Sequence, residues 1–345
     1  MTPPSARALA LWRDAVVVDL HNDLPSRVAD DGYDPGVRHP PGFGRDEGHS
    51  DVPRLAESGI SAQWLAAWVD APYALEEPDA SFRRALRLIG IIEEMAARHP
   101  DRLLLATSAA DVRRAKREGK VALLIGVEGG HAIEGSLEKL RTLHARGARY
   151  MTLTWNNGNA WAGSSIGCDG TRTGGLTDFG REVLREMERL GMLIDLSHVS
   201  DETFADVVES ARRPLIASHS NARALHDHPR NLADDQLRAI ARTGGVVGVN
   251  FYPRFLDPAF AAGRRDHVPM AVVVDHIEHI ARVAGVRHVA LGSDFDGISA
   301  TPDGLEDVTR MPRLVDALLG RGFGDDEIAG IIGGNALRVM EAVIG

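Results

Sequence analysis

The sequence predicts an α/β fold, a (β/α)8 TIM barrel, and three observations predict it. Eight short runs rich in apolar and β-branched residues recur along the chain, apolar on both faces as strands of a buried parallel sheet are. Helical patterns separate these runs. Neither G-x-G-x-x-G nor G-x-x-x-x-G-K-[ST] occurs, which weakens the runner-up, a doubly wound nucleotide-binding sheet.

The first run, 15–20, precedes a stretch at 29–51 rich in Gly, Pro, His and Asp that reads as a long loop. The second, 60–69, leads to a helix at about 80–98, and the third, 121–127, to one at about 137–146. Run 149–154 precedes helix 178–190, and run 192–196 precedes helix 201–211, where Ser200 and Thr203 signal a start. Runs 214–217 and 245–251 lead to helices at 233–243 and 269–284, and the last run, 288–292, to two helices within 311–344. No fixed-period repeat or domain boundary is visible, so residues 1–345 read as one barrel domain.

Composition narrows the function. A net charge of −10 without a Lys/Arg cluster argues against a nucleic-acid partner. Apolar runs are strand-sized and no signal-peptide core is present, so no membrane association and a cytoplasmic location are expected. The single cysteine, Cys168, excludes an internal disulfide and suits a reducing compartment; without an evident partner it reads as inert.

The fourteen histidines are the unusual feature. A barrel builds its active site at the C-terminal ends of its strands. The first run ends in His21-Asn22-Asp23, whose outer two residues face the same way. The third ends in Glu128, the fifth in His198, the sixth in His219 and the eighth in Asp294. A barrel needing only stability would put Val, Ile or Leu there, because a buried charge is costly unless paired or metal-bound. His, Asp and Glu suit zinc and related divalent ions, and the set exceeds what one tetrahedral zinc takes. Two metals sharing a bridging carboxylate match it better.

These residues carry a family likeness. Asp19-Leu20-His21-Asn22-Asp23-Leu24-Pro25, Gly126-Val127-Glu128-Gly129-Gly130, Ile194-Asp195-Leu196-Ser197-His198-Val199, Ser218-His219-Ser220 and Gly292-Ser293-Asp294-Phe295-Asp296-Gly297 resemble the renal (membrane) dipeptidases, peptidase family M19. That family belongs with the amidohydrolase-like, metal-dependent hydrolase barrels, and the likeness runs from about residue 16 to 342. The resemblance implies a zinc-dependent dipeptidase with two Zn2+, acting on L-Xaa-L-Xaa and L-Xaa-D-Xaa dipeptides through a metal-bridging hydroxide. It assigns His21 and Asp23 to one zinc, His198 and His219 to the other, and Glu128 to both. Asp294 would relay protons, Arg230 would grip the substrate carboxylate and Tyr252 would line the pocket. A homodimer is also implied. One position departs: where mammalian members carry a histidine that polarises the scissile carbonyl, this chain has Trp155 followed by Asn156-Asn157. Either asparagine, or the metal alone, is left for that task.

Rival readings are another binuclear amidohydrolase, such as a lactonase or phosphotriesterase, or an inactive metal-binding homologue. The former usually open with His-x-His and often bridge with a carboxylated Lys, unlike His21-x-Asp23 and Glu128. Arg230 has a plainer alternative, an ion pair with Asp227 or another surface carboxylate. His131, just after Glu128, reads first as a structural residue with support of the site as the alternative, and Asp195 is open between a structural role and orienting a ligand histidine. His276 and His279 read as a solvated helix face, and Trp64 and Trp68 as core or loop packing, with the pocket mouth as the alternative.

Overall fold

The computed structural model describes residues 3–167 and 174–345, so Cys168 lies outside the described residues. Among the described residues nine strands form: β1 (Val18–Asp19), β2 (Ala62–Trp68), β3 (Leu103–Leu105), β4 (Val121–Glu128), β5 (Ala148–Thr152), β6 (Leu193–Asp195), β7 (Ile216–Ser220), β8 (Val246–Val249) and β9 (Val289–Leu291). Eight of them, all but β3, close a parallel barrel in which β2 pairs with β4 and β1 meets β9 through Asp19 and Leu291. Each of the eight apolar runs supplies one barrel strand. Successive residues alternate between the barrel interior, where Leu20, Trp64, Leu124 and Tyr150 pack, and the helical layer outside, which receives Leu65, Leu123 and Ile125.

The interleaved helices lie where their periodicity placed them, including Ala80–Arg98 and Asp178–Leu190. Other elements differ from expectation. β3 runs along the first half of β4 on the edge that β5 takes over at Ile125. Three leucines are too short a run to register alone. The following helix, Ala109–Glu118, turns only Ala109, Val112 and Ala115 inward, so its sequence looks mostly charged. The expected loop at 29–51 begins as the end of a helix, Leu24–Asp31, with Pro25 in its first turn. A further helix, Ala6–Asp14, is capped by Ser5, whose hydroxyl accepts from Ala8 N–H at 3.1 Å. The tail forms Arg313–Gly320, then Asp325–Ala329 and Asn335–Val343 joined through a π-turn.

His276 and His279 are not a solvated face. Their helix, Met270–Ala284, is apolar enough to bury both rings against its neighbours. Among the described residues no helix is long and apolar enough to cross a membrane.

Candidate metal centre and active site

The strand ends gather six predicted residues in one buried cluster. β1 is lashed to its neighbours by Asp19, whose carboxylate accepts from the Ser293 N–H at 2.7 Å, the Ser293 hydroxyl and the Gln63 amide. Beyond it the chain continues beside the β9 loop: Asp294 N–H donates to His21 O, and Asp23 N–H donates to Phe295 O. His21 and Asp23 therefore turn inward together, with His21 Nε2 3.4 Å from Asp23 Oδ2. His198 and Asp294 both adopt left-handed backbone, with φ of 70° and 64°. Such conformations are costly for these residues and concentrate at functional sites. Gly297 is required beside them, since a Cβ there would lie 2.2 Å from Asp23 Oδ2.

Glu128 lies between two histidine groups. Its Oε1 is 2.9 Å from His198 Nε2 and 3.4 Å from His219 Nε2, while Oε2 is 3.4 Å from His21 Nε2. His198 Nε2 and His219 Nε2 are only 3.0 Å apart. Every one of these rings has an oxygen on its other nitrogen. Tyr150 Oη is 2.9 Å from His21 Nδ1, Asn156 Oδ1 is 3.0 Å from His198 Nδ1, and Ser218 Oγ is 2.8 Å from His219 Nδ1. Neutral rings donating through Nδ1–H would leave three Nε2 lone pairs converging on one small volume. His21 Nε2 and Asp23 Oδ1 are buried without a hydrogen-bond partner among the described residues. Buried polar atoms are rarely left so, and nitrogen and carboxylate donors around a shared carboxylate fit divalent ions.

Electrostatics agree with that fit. Burial, helped by the Arg230 cation, pushes His198 down to about 3, and burial with the neighbouring His21 holds His219 well below its ordinary range. Burial would raise Glu128, but the charge of His21 and the nearby His198 and His219 rings keep it well below the usual carboxylate range. Burial works against a cation on His21, yet Tyr150, Glu128 and Asp23 outweigh it and hold that ring well above the ordinary value. The carboxylates around His21 thus favour positive charge at the middle of the cluster, the place where a metal would supply it.

A cavity of about 390 Å3 opens onto the cluster. Arg230, Tyr252, Trp155 and Asn156 line it, as do Asp294 and the half-buried Trp68. Arg230 is buried, donates to His219 O at 3.2 Å and lies 5.4 Å from the Phe255 ring. No described carboxylate is within ion-pair distance of it, so the alternative pairing with Asp227 is not found, and its Nε has no partner among the described residues. Asn250 Nδ2 donates to Asp294 Oδ2 at 2.7 Å, while Tyr252 N–H donates to Asn250 Oδ1. Burial and the Asp23 and Glu128 carboxylates push Asp294 up to about 8, against the pull of His21 and Asn250.

The supporting residues sort less simply than the candidate ligands. Asp195 acts on His219 through an intermediary: it accepts the Ser218 hydroxyl at 2.6 Å, and Ser218 Oγ meets the ring. His131 bonds no member of the cluster and lines a neighbouring cavity instead, beside Asn157. Trp64 is core, packed on Tyr150 at 4.9 Å between ring centres. Tyr150, Asn250 and Asp19 have structural parts that the sequence did not announce. Tyr150 reaches His21 across Gly126, where any Cβ would strike its ring at 2.0 Å.

The whole-chain comparisons point one way. The model of the membrane dipeptidase family (peptidase family M19) matches residues 5–344. Among solved structures, the chain is similar to a metallo-dipeptidase of that family at 30% identity, covering 96% of this chain and 99% of the other with a TM-score of 0.83. A metallo peptidase from Rhodobacter sphaeroides, liganded with a phosphinate mimic of L-Ala-D-Ala, is 29% identical over 95% and 99%, with a TM-score of 0.82. The fold also matches a probable dipeptidase from Pseudomonas aeruginosa, at 24% identity over 98% and 97% and a TM-score of 0.88.

Proposed function

The chain belongs to the membrane dipeptidase family, peptidase family M19, and from that premise we propose that it hydrolyses small dipeptides at Glu128 with two zinc ions as cofactors. It is a metal-dependent dipeptidase. The observation that carries the binuclear reading is the division of one carboxylate between two ligand groups, Oε1 toward His198 and His219 and Oε2 toward His21. His21 and Asp23 would hold one ion, His198 and His219 the other, and Glu128 both. When bound, such a pair polarises the peptide carbonyl and lowers the pKa of the attacking water toward neutrality.

The remaining steps fall to the protein. Asp294 keeps Oδ2 on Asn250, so Oδ1 is the atom that takes the proton from the attacking water and passes it to the leaving amine, the group being ionised once bound cations offset the burial and the Asp23 and Glu128 carboxylates that raise it. Arg230, a buried guanidinium without a carboxylate partner among the described residues, receives the substrate's C-terminal carboxylate. Asn156 spends its carbonyl oxygen on His198, and its amide nitrogen, which has no partner among the described residues, can donate to the developing oxyanion in place of the absent histidine. Trp155 and Tyr252 wall the cavity. Substrates of both L-Xaa-L-Xaa and L-Xaa-D-Xaa form are proposed; the Rhodobacter sphaeroides relative bound to a mimic of L-Ala-D-Ala supports the second.

Protein purified with zinc present should carry close to two equivalents by elemental analysis and should cleave L-Ala-L-Ala and L-Ala-D-Ala. A reproducible value near one at full activity overturns the binuclear reading, and failure to cleave any dipeptide overturns the substrate assignment.

A further inference from the structure

The far wall of the cavity has no role in this mechanism. Around the closed ring the strands run β1, β2, β4, β5, β6, β7, β8, β9, so β2 stands diametrically across from β7. Arg230 lies in the loop after β7, with Phe255 following β8. On the other side, Trp68 ends β2, and the ring of Trp155, which follows β5 nearer to β7, meets it edge to face with centres 5.1 Å apart. A dipeptide anchored by its carboxylate on Arg230 and cleaved over the cluster must therefore point its N-terminal residue toward the two indoles.

That wall is built to hold its position. Trp68 is in register with Glu128 on the neighbouring strand, and Val69 N–H donates to Glu128 O at 3.1 Å. Trp155 is fixed through its carbonyl, which accepts from the Ser164 hydroxyl at 2.6 Å, and through Asn156 on His198. The space is small: about 390 Å3 is near the lower end for ligand cavities and must hold the whole substrate. The loops that carry the two indoles also line further space. A second cavity of about 560 Å3 is lined by Ala71, His131 and Asn157, which follow Trp68, Glu128 and Trp155 by two or three residues on the same loops.

We propose that the Trp68–Trp155 pair is the binding wall for the N-terminal residue of the dipeptide, and that Trp68 sets the upper size of its side chain, favouring Gly- and Ala-sized residues there. The assignment rests on the dipeptidase reading and on Arg230 as the carboxylate anchor. Rigid walls reject an oversized group by steric clash, and side-chain selectivities of about ten-fold or more follow when a pocket cannot adapt.

The test compares kcat/KM for L-Ala-L-Ala, L-Phe-L-Ala and L-Ala-L-Phe in the zinc-loaded wild type, Trp68→Ala and Trp68→Leu, the last retaining apolar packing on Trp155 should the alanine variant fail to fold. Wild type should prefer Ala-Ala over Phe-Ala by at least about ten-fold. In the variants the Phe-Ala to Ala-Ala ratio should rise by about ten-fold, with the Ala-Phe to Ala-Ala ratio moving by less than about three-fold. A uniform fall for all three substrates would mean a structural role only and overturns the proposal. A gain confined to Ala-Phe reverses the substrate's direction across the barrel and overturns it too. Wild type that cleaves none of the three instead condemns the dipeptidase reading, whereas cleavage of Ala-Ala with unmoved ratios removes only the wall.

Discussion

At the scale of single residues, Asp294 and Arg230 make the sharpest predictions. If Oδ1 of Asp294 carries the proton, Asp294→Asn should keep its metals yet lower kcat by at least about 10²-fold, the lower range for general acid–base catalysis. Loss of metal by elemental analysis would make Asp294 a ligand instead. Arg230→Met should abolish the advantage of a free C-terminus over an amidated one. A hydrogen bond to a charged group contributes roughly 1.5–3 kcal/mol, or about ten- to over a hundred-fold in kcat/KM. Wild-type enzyme that cleaves free and amidated dipeptides equally would remove the carboxylate anchor. The ligand candidates were legible because strand ends in a barrel are few and ionisable residues there are conspicuous. Tyr150, Asn250 and Asp19 were not, because a polar residue in or just past a strand declares a partner only when closure brings His21, Asp294 or Ser293 against it.

At the scale of elements, legibility followed apolar run length. Each barrel strand announced itself, but β3 and helix Ala109–Glu118 bury too little to leave a pattern. Helix Met270–Ala284 was recognised yet its histidines were misassigned, since alternation of His with Asp275 and Glu278 looks solvated until the neighbouring loops arrive. His276 is fully buried, its Nδ1 accepting from Ala222 N–H and its Nε2 facing Leu256 O, each at 3.1 Å. Burial pushes this ring down to about 4, below its ordinary 6.5. The unfolded chain therefore binds a proton that the folded one refuses, and this stability is present above about pH 6.5 and is lost as pH falls toward 4. In metal-free protein, His276→Asn should be less stable at neutral pH but should lose less on acidification. Its unfolding free energy should change less steeply between pH 6 and 5 than the wild type's, by up to about 1.4 kcal/mol per pH unit, one proton's worth. Equal slopes in urea titrations would show that another group sets the dependence.

At the scale of the whole molecule, the proposed metals join strands that are far apart in sequence. The candidate ligands and Asp294 lie at the ends of β1, β4, β6, β7 and β9, from His21 to Asp294, so five of the eight barrel strands converge on one cluster. The unfolded chain cannot assemble that set, and metal binding must therefore favour the closed barrel. A site at a hundred-fold excess of ligand over Kd adds about 2.7 kcal/mol. Spread over the unfolding entropy of 345 residues, that is roughly 4 °C in Tm for each site. Stripping the protein with a chelator should lower Tm on that order per ion removed, and zinc titrated back should restore it. Glu128→Gln tests the shared part of the cluster: an amide oxygen is a poor bridge, so this variant should lose most of the zinc-dependent rise, measured from a metal-free Tm that itself falls below that of metal-free wild type because the buried histidines lose their carboxylate partner. A full zinc-dependent rise in Glu128→Gln would mean that the ions do not share Glu128, and the binuclear centre would have to be rebuilt around other ligands.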